Sequence, residues 1–338
     1  MERDTRLLMN EYTERKAPSM FFYNMFVNKV KTFEQESVQI DIVRATRRMA
    51  GYNVRGAVAK NIKQKGYKSY LYTPPIINDS SVISFATARK AVAGEDIYSP
   101  LSPQARAVVH QAESAVEMSE AIDRRIEYQI YEALFTGEIS IPENGGKVGF
   151  PVDTTLLDIS PSASWATAST KITKDVKDTS LSVFKKSGKT PDIMVLGADA
   201  LEGFLDNTQI KDQLNNRRVE GSKLDPKEIP DDATYIGYFN FEGYALDVLA
   251  YNGMYADPDT GEDTPYMPAK KALLINMAAR REMLYGGIES HEATMAVPQF
   301  VDSWESKNPD GWIVRIQSAP LFAPVALDTW ATIQCIPA

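Results

Sequence analysis

The sequence is poor in the residue types on which disulfide frameworks, metal sites and most catalytic centres depend. Its 338 residues include one cysteine, Cys335, and two histidines, His110 and His291. A single cysteine excludes an intramolecular disulfide framework, and within an apolar stretch it is most simply a small buried hydrophobic residue. We therefore expect synthesis in a reducing, intracellular compartment, with no cofactor and no metal centre.

Long apolar runs are also missing. No stretch approaches the roughly 18 apolar residues that span a bilayer. The first 26 residues mix acidic with basic side chains and lack the apolar core of a signal peptide. The sequence predicts a chain that has no membrane partner.

An excess of basic charge is missing as well. The formal net charge is -8 and the isoelectric point is about 5.1. A protein that reads duplex nucleic acid needs a basic surface, because binding is driven by release of the counterions on the phosphates. A dedicated nucleic-acid reader is therefore disfavoured, and the length predicts about two ordinary domains, each able to bury a core.

Neither histidine lies in a convincing catalytic arrangement. His110 falls within an apolar, helical pattern, where a structural role is the simplest interpretation. His291 has Ser290 and Glu292 as its direct neighbours. Adjacent residues point apart, so these three cannot form a nucleophile, base and orienting acid among themselves.

Two short segments resemble ligand-binding loops but lack essential positions. Gly188–Thr190 reads like the end of a phosphate loop, yet Val183 stands where that loop needs glycine, and a strand follows instead of preceding it. The stretch DPDTGED resembles a calcium loop, but its glycine is fifth where the motif requires the sixth position. We interpret the first as a turn and the second as an acidic hairpin tip with Asp257, Asp259 and Asp263.

The N-terminal third reads as an arm followed by a projecting hairpin. Residues 1–35 combine a short amphipathic piece with a phenylalanine cluster, and SVQIDIVR at 37–44 alternates like a strand. From Arg44 to Lys68 there are eight lysines and arginines and no acidic residue. Pro74 and Pro75 then end any regular element. An extended basic hairpin that leaves the body of the protein fits this pattern better than a packed core segment.

One long helix is predicted over residues 102–136. Ser102 is a good N-cap and Pro103 fits the first helical position. Apolar residues recur at helical spacing up to the glycine at position 137. They are Ala105, Val108, Val109, Ala112, Val116, Ile122, Ile126, Ile130 and Leu134.

The remainder alternates strands, helices and turns. We predict a strand in GKTPDIMVLG (188–197), a helix in ADALEGFLD, a hairpin around residues 240–244, and a strand in KKALLINMA. Two terminal strands are predicted around Trp312–Gln317 and Val325–Cys335, because apolar and polar residues alternate there. Pro320 and Pro324 cannot donate to a ladder, which predicts a break over residues 318–324.

These segments, taken in order, resemble the lambda-type phage major capsid proteins, the E family. The resemblance is carried by ESVQIDIVR (36–44), GAVAKNIKQKGYKSYLYTPPII (56–77), IDRRIEYQIYEALFTGEISI (122–141), KSGKTPDIMVLGADALEGF (186–204) with NNRR (215–218), REMLYGGI (281–288) and IQSAPL (316–321). No single stretch is decisive, but together they span about 280 residues in register.

The resemblance implies an α+β fold of the Hong Kong 97 capsid type. Such a fold has an N-terminal arm, an extended β-hairpin loop, a peripheral domain with a long spine helix, and an axial domain. Its parts fall here on the arm at 1–35, a peripheral strand at 36–44, the extended loop at 45–77, the peripheral domain at 78–179 with the spine helix at 102–136, the axial domain at 180–288, and peripheral C-terminal strands at 289–338.

The resemblance also implies a function and partners. The family builds icosahedral heads of tailed phages or prophages from hexamers and pentamers, and these heads enclose double-stranded DNA without reading its sequence. Expected partners are further copies of the chain, a portal, a scaffold and, in some heads, decoration proteins. The protein would be synthesised and assembled in the host cytoplasm, would reside in the virion and would not be an enzyme.

Candidate contact residues follow from the same resemblance. In the extended loop we expect contacts with an adjacent subunit from Arg55, Lys60, Lys65, Gly66, Tyr67, Pro74 and Pro75, and in the axial domain from Arg217 and Arg218. Two alternatives stay open: an encapsulin-like compartment shell of the same fold, and a cytoplasmic hydrolase that uses His291.

Overall fold

The computed structural model contains both helices and sheets, as the sequence predicts. It describes residues 18–42, 49–50, 52, 55, 67–92, 101–141, 146–215, 223–258, 260–289, 294–308 and 310–337. Most of the predicted basic hairpin, together with His291, Asp259 and both candidate axial arginines, lies outside these residues.

A six-stranded sheet forms the largest layer. Only its Ile193–Leu196 and Tyr244–Tyr251 strands pair in parallel, and the other neighbours are antiparallel. Its strands, in spatial order, are Trp330–Gln334, Lys271–Ile275, Ile193–Leu196, Tyr244–Tyr251, Ala233–Phe241 and Lys223–Ile229. The predicted strands and hairpin in this region are confirmed.

Both faces of this sheet are covered. Val195, Leu273 and Trp330 belong to one apolar cluster, whereas Met194 and Leu274 belong to another. Neighbouring residues therefore point into different cores, which is why the strands IMVL and KALLI are almost entirely apolar instead of alternating.

Three helices cover one face of the six-stranded sheet. Their buried side chains include Val176, Phe204 and Ile210. The first helix ends at Gly188, whose φ of 81° is left-handed, and a strand follows it. The segment Gly188–Thr190 is therefore a helix end, as the turn interpretation predicts. The three helices are Ile172–Ser187, Ala198–Asp206 and Thr208–Asn215.

The long predicted helix is present at Pro103–Thr136, and we call it the spine helix. The Ser102 side chain accepts a hydrogen bond from the Ala105 amide at 3.1 Å, and Gly137 ends the helix with a φ of 75°. Its C-terminal half is buried, but in its N-terminal half Val108 is 64% exposed. The apolar repeat continues through that half. Of its apolar side chains, however, only Ala107 is fully packed in a core.

A three-stranded antiparallel sheet packs against the N-terminal half of the spine helix. Its strands, in spatial order, are Phe300–Lys307, Asp310–Ser318 and Ile77–Ser84. Ile83 and Val314 face the helix and share a small core with Ala107. The helix Phe85–Ala88 follows directly, and Phe85 contacts Trp312 edge to face with ring centroids 4.5 Å apart.

A smaller three-stranded sheet corrects the prediction for residues 318–324. Glu282–Tyr285 is central, parallel to Lys29–Thr32 and antiparallel to Pro320–Ala323. The expected break therefore contains a buried strand. Pro320 is tolerated because it is the first residue of a strand at the sheet edge, where no amide donor is required. Residues 325–328 form the turn instead, so the last strand begins at Trp330 and not at Val325.

The last strand lies in a different sheet from the Asp310–Ser318 strand, which packs on the spine helix. Trp330–Gln334 pairs with Lys271–Ile275 in the six-stranded sheet and not with the sheet that packs on the spine helix. The assignment of residues 289–338 to the peripheral domain stays a prediction. Alternation predicts that a strand is half-buried, but it does not identify the strand that pairs with it. The other domain boundaries remain predictions.

The remaining regular elements are short. The acidic segment at 257–262 is the tip of a hairpin, as predicted. Two-stranded ribbons pair Val38–Ile42 with Lys68–Tyr72, Glu138–Ile141 with Gly146–Gly149, Met254–Ala256 with Asp263–Pro265, and Ile288–Glu289 with Thr294–Met295; the helix Phe21–Phe26 and the 3₁₀ turn Thr154–Leu156 complete the set.

The described residues include neither a membrane-spanning helix nor a metal-binding cluster. None of their helices is both long and apolar enough to cross a membrane. Among the same residues, no group of three or more His, Cys, Asp and Glu side chains is arranged to hold a metal ion.

The last strand offers a test of its register. Ile333 is fully buried, whereas Gln334 is only partly buried. Ile333→Asp should bury a carboxylate without a partner, which costs several kcal/mol of an unfolding free energy of about 5–15 kcal/mol. Gln334→Asp should change the melting temperature little. Thermal unfolding of both soluble variants is the measurement, and equal melting temperatures would contradict the observed register.

Candidate assembly surfaces

The base of the predicted hairpin is a two-stranded ribbon. Val38–Ile42 and Lys68–Tyr72 pair so that Ile40 opposes Tyr70. One face is apolar and lies against the body, where the Tyr72 ring is 5.4 Å from that of Phe150. Burial there raises the pKa of Tyr72 to about 12. The ribbon is therefore attached along one face and open on the other.

The open face of the ribbon carries polar side chains and one large apolar residue. The Asp41 carboxylate accepts hydrogen bonds from Ser69 at 2.5 Å and from Gln39 at 3.2 Å. These bonds lower the pKa of Asp41. Leu71 shares this face and is 72% exposed.

The predicted contact residues of the loop differ in accessibility. Arg55 and Tyr67 are exposed, whereas Pro74 is buried and Pro75 is partly buried. Pro74 lies at the cleft described below but has little exposed surface of its own, and its contact with an adjacent subunit stays a prediction. The predictions for Lys60, Lys65, Gly66, Arg217 and Arg218 lie outside the described residues.

Pro74 also fixes the root of the ribbon. A Cβ atom added to Gly286 would lie 3.1 Å from Pro74 Cγ and 3.5 Å from Ala319 Cβ. The Gly286 amide also donates to the Ala319 carbonyl at 2.9 Å. Three of the stretches that carry the family resemblance therefore meet here, and the absence of a side chain at Gly286 permits their close approach.

The arm is held by charge and by backbone pairing next to this root. Lys31 lies 2.8 Å and Arg280 lies 2.6 Å from the Glu282 carboxylate. Burial opposes ionisation of Glu282, but the hydrogen bonds from both cations outweigh it and lower its pKa. Lys29–Thr32 pairs in parallel with the strand that carries Glu282. The arm is thus part of the fold from this strand onward.

The arm helix, Phe21–Phe26, is anchored by three phenylalanines. Phe21, Phe22 and Phe26 are each at most 2% exposed. The Phe21 ring stacks on that of Tyr251 at a centroid distance of 4.7 Å. The predicted phenylalanine cluster is therefore a core element that attaches the arm to the six-stranded sheet.

Glu127 on the spine helix caps the arm helix. Its carboxylate accepts from the amides of Phe22 at 2.6 Å and Tyr23 at 3.0 Å, and from the Tyr251 hydroxyl at 3.0 Å. The helix has no capping side chain of its own, because Met20 occupies its N-cap. Burial raises the pKa of Glu127 to about 7, although these three hydrogen bonds oppose the shift.

Gln129 makes a similar contact two residues later. Its amide nitrogen donates to the Pro320 carbonyl at 3.1 Å, and its amide oxygen accepts from the Phe322 amide at 2.9 Å. These bonds satisfy backbone groups of the edge strand Pro320–Ala323, which the sequence did not predict. Sequence reasoning missed both Glu127 and Gln129. The signal was the apolar repeat Ile122, Ile126, Ile130 and Leu134, which shows that this part of the helix is packed in a core where a polar neighbour needs a partner.

A cleft opens between the ribbon, the spine helix and the Met254–Pro265 hairpin. Three large apolar side chains are exposed at its walls: Leu71, Ile76 at 65% and Met254 at 58%. Its charged lining is mainly acidic, with Asp79, Glu132, Asp231, Asp232, Asp257 and Asp263 against Arg124, Arg125 and Lys147. Clustered apolar exposure with a polar rim is typical of a protein–protein contact surface.

A second exposed apolar row crosses the sheet beside the spine helix. Val82, Ile313 and Trp304 are direct cross-strand neighbours. In the next row Arg315 and Asp302 form a bidentate ion pair at 3.0 and 2.6 Å. This row gives the outer surface of the sheet a small apolar patch.

His110 lies along the spine helix and is partly buried. Its Nδ1 is 3.4 Å from the Glu113 carboxylate, one helical turn further on. This contact is consistent with the structural role that the sequence favours. The hydrolase alternative depends on His291, which lies outside the described residues.

Two solved phage structures share the fold of this chain. The chain is similar in structure to a prophage protein of Escherichia coli CFT073 described as a capsid protein, with a TM-score of 0.70 and 16% identity over 99% of this chain and 98% of that one. It also resembles the mature capsid protein of bacteriophage PhiM1, with a TM-score of 0.52 and 10% identity over 96% and 90% of the two chains.

An encapsulin has the same fold. The shell protein of the SrpI encapsulin of Synechococcus elongatus PCC 7942 matches with a TM-score of 0.51 and 12% identity over 99% of this chain and 95% of that one. Similarity at these identities establishes the Hong Kong 97 capsid fold and does not separate phage heads from compartment shells.

The family comparison does separate them. No curated protein matches the sequence significantly. The sequence family described as phage major capsid protein E matches residues 4–335, nearly the whole chain. The protein therefore belongs to the phage major capsid protein E family.

Proposed function

We propose that this protein assembles through hexamers and pentamers into the icosahedral head of a tailed phage or prophage, and that the cleft is one of its contact surfaces. The observation that carries the proposal is the clustering of Leu71, Ile76 and Met254 at one cleft, each more than half exposed. A second copy would remove these side chains from water, which stabilises association by about 25 cal/mol per Å² of apolar surface.

The extended loop is the element that reaches the neighbouring subunit. Its sequence from Arg44 to Lys68 carries eight basic and no acidic side chains. Among the described residues, the cleft of another copy offers six acidic against three basic side chains. Each exposed pair contributes only about 0–1 kcal/mol, but a shell repeats the contact many times. The exposed Arg55 and Tyr67 are part of this contact in our proposal.

The role is structural. The assembled head encloses double-stranded DNA without sequence-specific contacts, in keeping with the chain's negative charge. A portal, a scaffold and decoration proteins are the further partners that this function requires or permits. Assembly takes place in the host cytoplasm, and the finished protein is located in the virion.

The contents of purified particles test this function. We expect particles made together with the neighbouring packaging genes to hold double-stranded DNA that resists external nuclease. Absorbance ratios of nuclease-treated particles and electron micrographs provide the measurement. Particles filled with one protein and free of DNA would favour a compartment shell of the encapsulin type, and a chain that forms no closed particle would contradict both functions.

The loop should be required for assembly and dispensable for folding. We would replace residues 44–66 by a two-residue Asn-Gly turn, which keeps the ribbon Val38–Ile42 and Lys68–Tyr72 and closes it with a suitable hairpin turn. The subunit should remain soluble and folded by circular dichroism, but micrographs should show no shells. Shells of normal size from this variant would refute the role of the loop.

The cleft can be tested at a described residue with a matched control. Leu71→Asp should leave the unfolding free energy of the isolated subunit within about 0.5 kcal/mol, because Leu71 is exposed. It should strongly reduce the yield of shells, since the new charge would lose water in the contact. Val108→Asp alters a side chain that is 64% exposed and lies away from the cleft. Equal loss of shells in both variants would show that the cleft has no special role.

A further inference from the structure

Glu127 lies at the junction of the arm, the spine helix and the six-stranded sheet. The side chain is fully buried. It is the tertiary cap of the arm helix, and it contacts Tyr251 on the sheet at the same time. The arm segment, residues 19–26, is therefore attached to the body through a carboxylate that water does not reach.

Apart from the three hydrogen-bond donors, the groups around Glu127 do not compensate its charge. Asp231, in the turn before the Ala233–Phe241 strand, acts on it with a charge of the same sign. The remaining titratable neighbours are phenols: Tyr251 on the sheet, Tyr266 ahead of the next strand, and Tyr23 on the arm helix. Among the described residues, no lysine or arginine forms an ion pair with Glu127 within 4.0 Å.

A chain of hydroxyl groups gives the neutral carboxyl a hydrogen-bond acceptor in the docked state. Tyr251 Oη lies 3.0 Å from both Glu127 Oε1 and Ser19 Oγ, and Ser19 Oγ donates to the Asp231 carbonyl at 2.7 Å. When Glu127 is ionised, Tyr251 donates to it. When Glu127 carries a proton, it can donate to Tyr251, and Tyr251 then donates to Ser19. No heavy atom needs to move for the direction to reverse.

We propose that Glu127 is a proton-controlled clamp on the arm segment: its neutral form holds residues 19–26 against the spine helix, and its ionisation loosens them. Ionisation places an unpaired charge inside the protein, and the nearest relief is to let water reach the carboxylate. Water can reach it when Ser19, Phe22 and Tyr23 move away, since these residues cover it from the arm side.

The direction and size of the effect follow from proton linkage. The ordinary pKa of a glutamate is 4.5, and burial of the docked Glu127 raises it to about 7. The docked state thus binds the proton more tightly than the open state. The free energy by which protonation favours the docked state is fully present below pH 4.5 and is lost as the pH rises to about 7. The equilibrium constant for opening of the arm segment should increase on the order of 50-fold between about pH 5 and pH 8.

The clamp would give the arm a regulated role in assembly. This consequence rests on the proposed function, because a loosened arm matters when a second copy is present to receive it. The clamp itself is a property of the single subunit, so it can be tested apart from shell formation.

Hydrogen exchange of the unassembled wild-type subunit provides the first test. After correction for the intrinsic pH dependence of exchange, peptides covering residues 19–26 should show the 50-fold rise in opening between about pH 5 and pH 8. Peptides from the six-stranded sheet should not show it. A flat response in the arm, or an equal response in the sheet, would overturn the proposal, since the first shows no clamp and the second shows global unfolding.

Two variants with the same chemical change provide the second test. Glu127→Gln removes the titration but keeps one acceptor oxygen where the carboxylate has two. The opening of the arm should therefore be the same at pH 5 and at pH 8, whatever its absolute value. Glu132→Gln is the control: Glu132 lies on the same helix, is buried, and caps the Ser140 amide at 2.9 Å away from the arm. It should retain the wild-type pH response. The same response in both variants would overturn the assignment to Glu127.

A direct titration keeps the proposal testable if Glu127→Gln fails to fold. In the wild-type subunit, the carboxyl carbon of Glu127 should titrate in nuclear magnetic resonance spectra with a midpoint near 7. A midpoint near 4.5, the ordinary value, would overturn the proposal. Shell formation is scored separately, so a chain that assembles without a pH-dependent arm refutes the clamp and leaves the proposed function intact.

Discussion

One side of the C-terminal half of the spine helix is buried in the core, and the polar side chains on that side have to find partners inside the protein. Ile122, Ile126, Ile130 and Leu134 fill the core, while Glu127 and Gln129 reach the arm helix and an edge strand. A buried polar group without a partner costs about 1–3 kcal/mol. The positions of the arm and of the Pro320–Ala323 strand are therefore coupled to the helix, and the other layers pack around this junction.

Contacts between remote segments also connect the stretches that carry the family resemblance. These stretches are far apart in the sequence, but several of their residues meet in the structure. Pro74, Gly286 and Ala319 approach within van der Waals contact at the root of the ribbon, and Lys31 and Arg280 converge on Glu282 beside it. These contacts set the direction in which the ribbon leaves the body. The open face of the ribbon, with the exposed Leu71, is thus attached to the body through a closely packed root.

The candidate surfaces could be predicted from sequence only in part. Basic composition and turn-forming residues indicated a projecting loop, and the ribbon at its base is present. Pro74 belongs to the same sequence stretch, but it is buried. Val108 follows the apolar repeat of the spine helix, but it is exposed. Local pattern shows which residues share a face, whereas burial depends on whether another layer covers that face.

The sequence by itself determined the class of fold, the long helix with both its ends, most of the strands and, through the order of its motifs, the family. These features depend on local propensity, capping and periodicity, which are written in consecutive residues. Tertiary structure alone decided that Trp330–Gln334 joins the six-stranded sheet, that a proline begins a buried edge strand, and that Glu127 caps a helix about 100 residues away in the chain. These features depend on contacts between remote segments, and neither propensity nor alternation contains the identity of a remote partner.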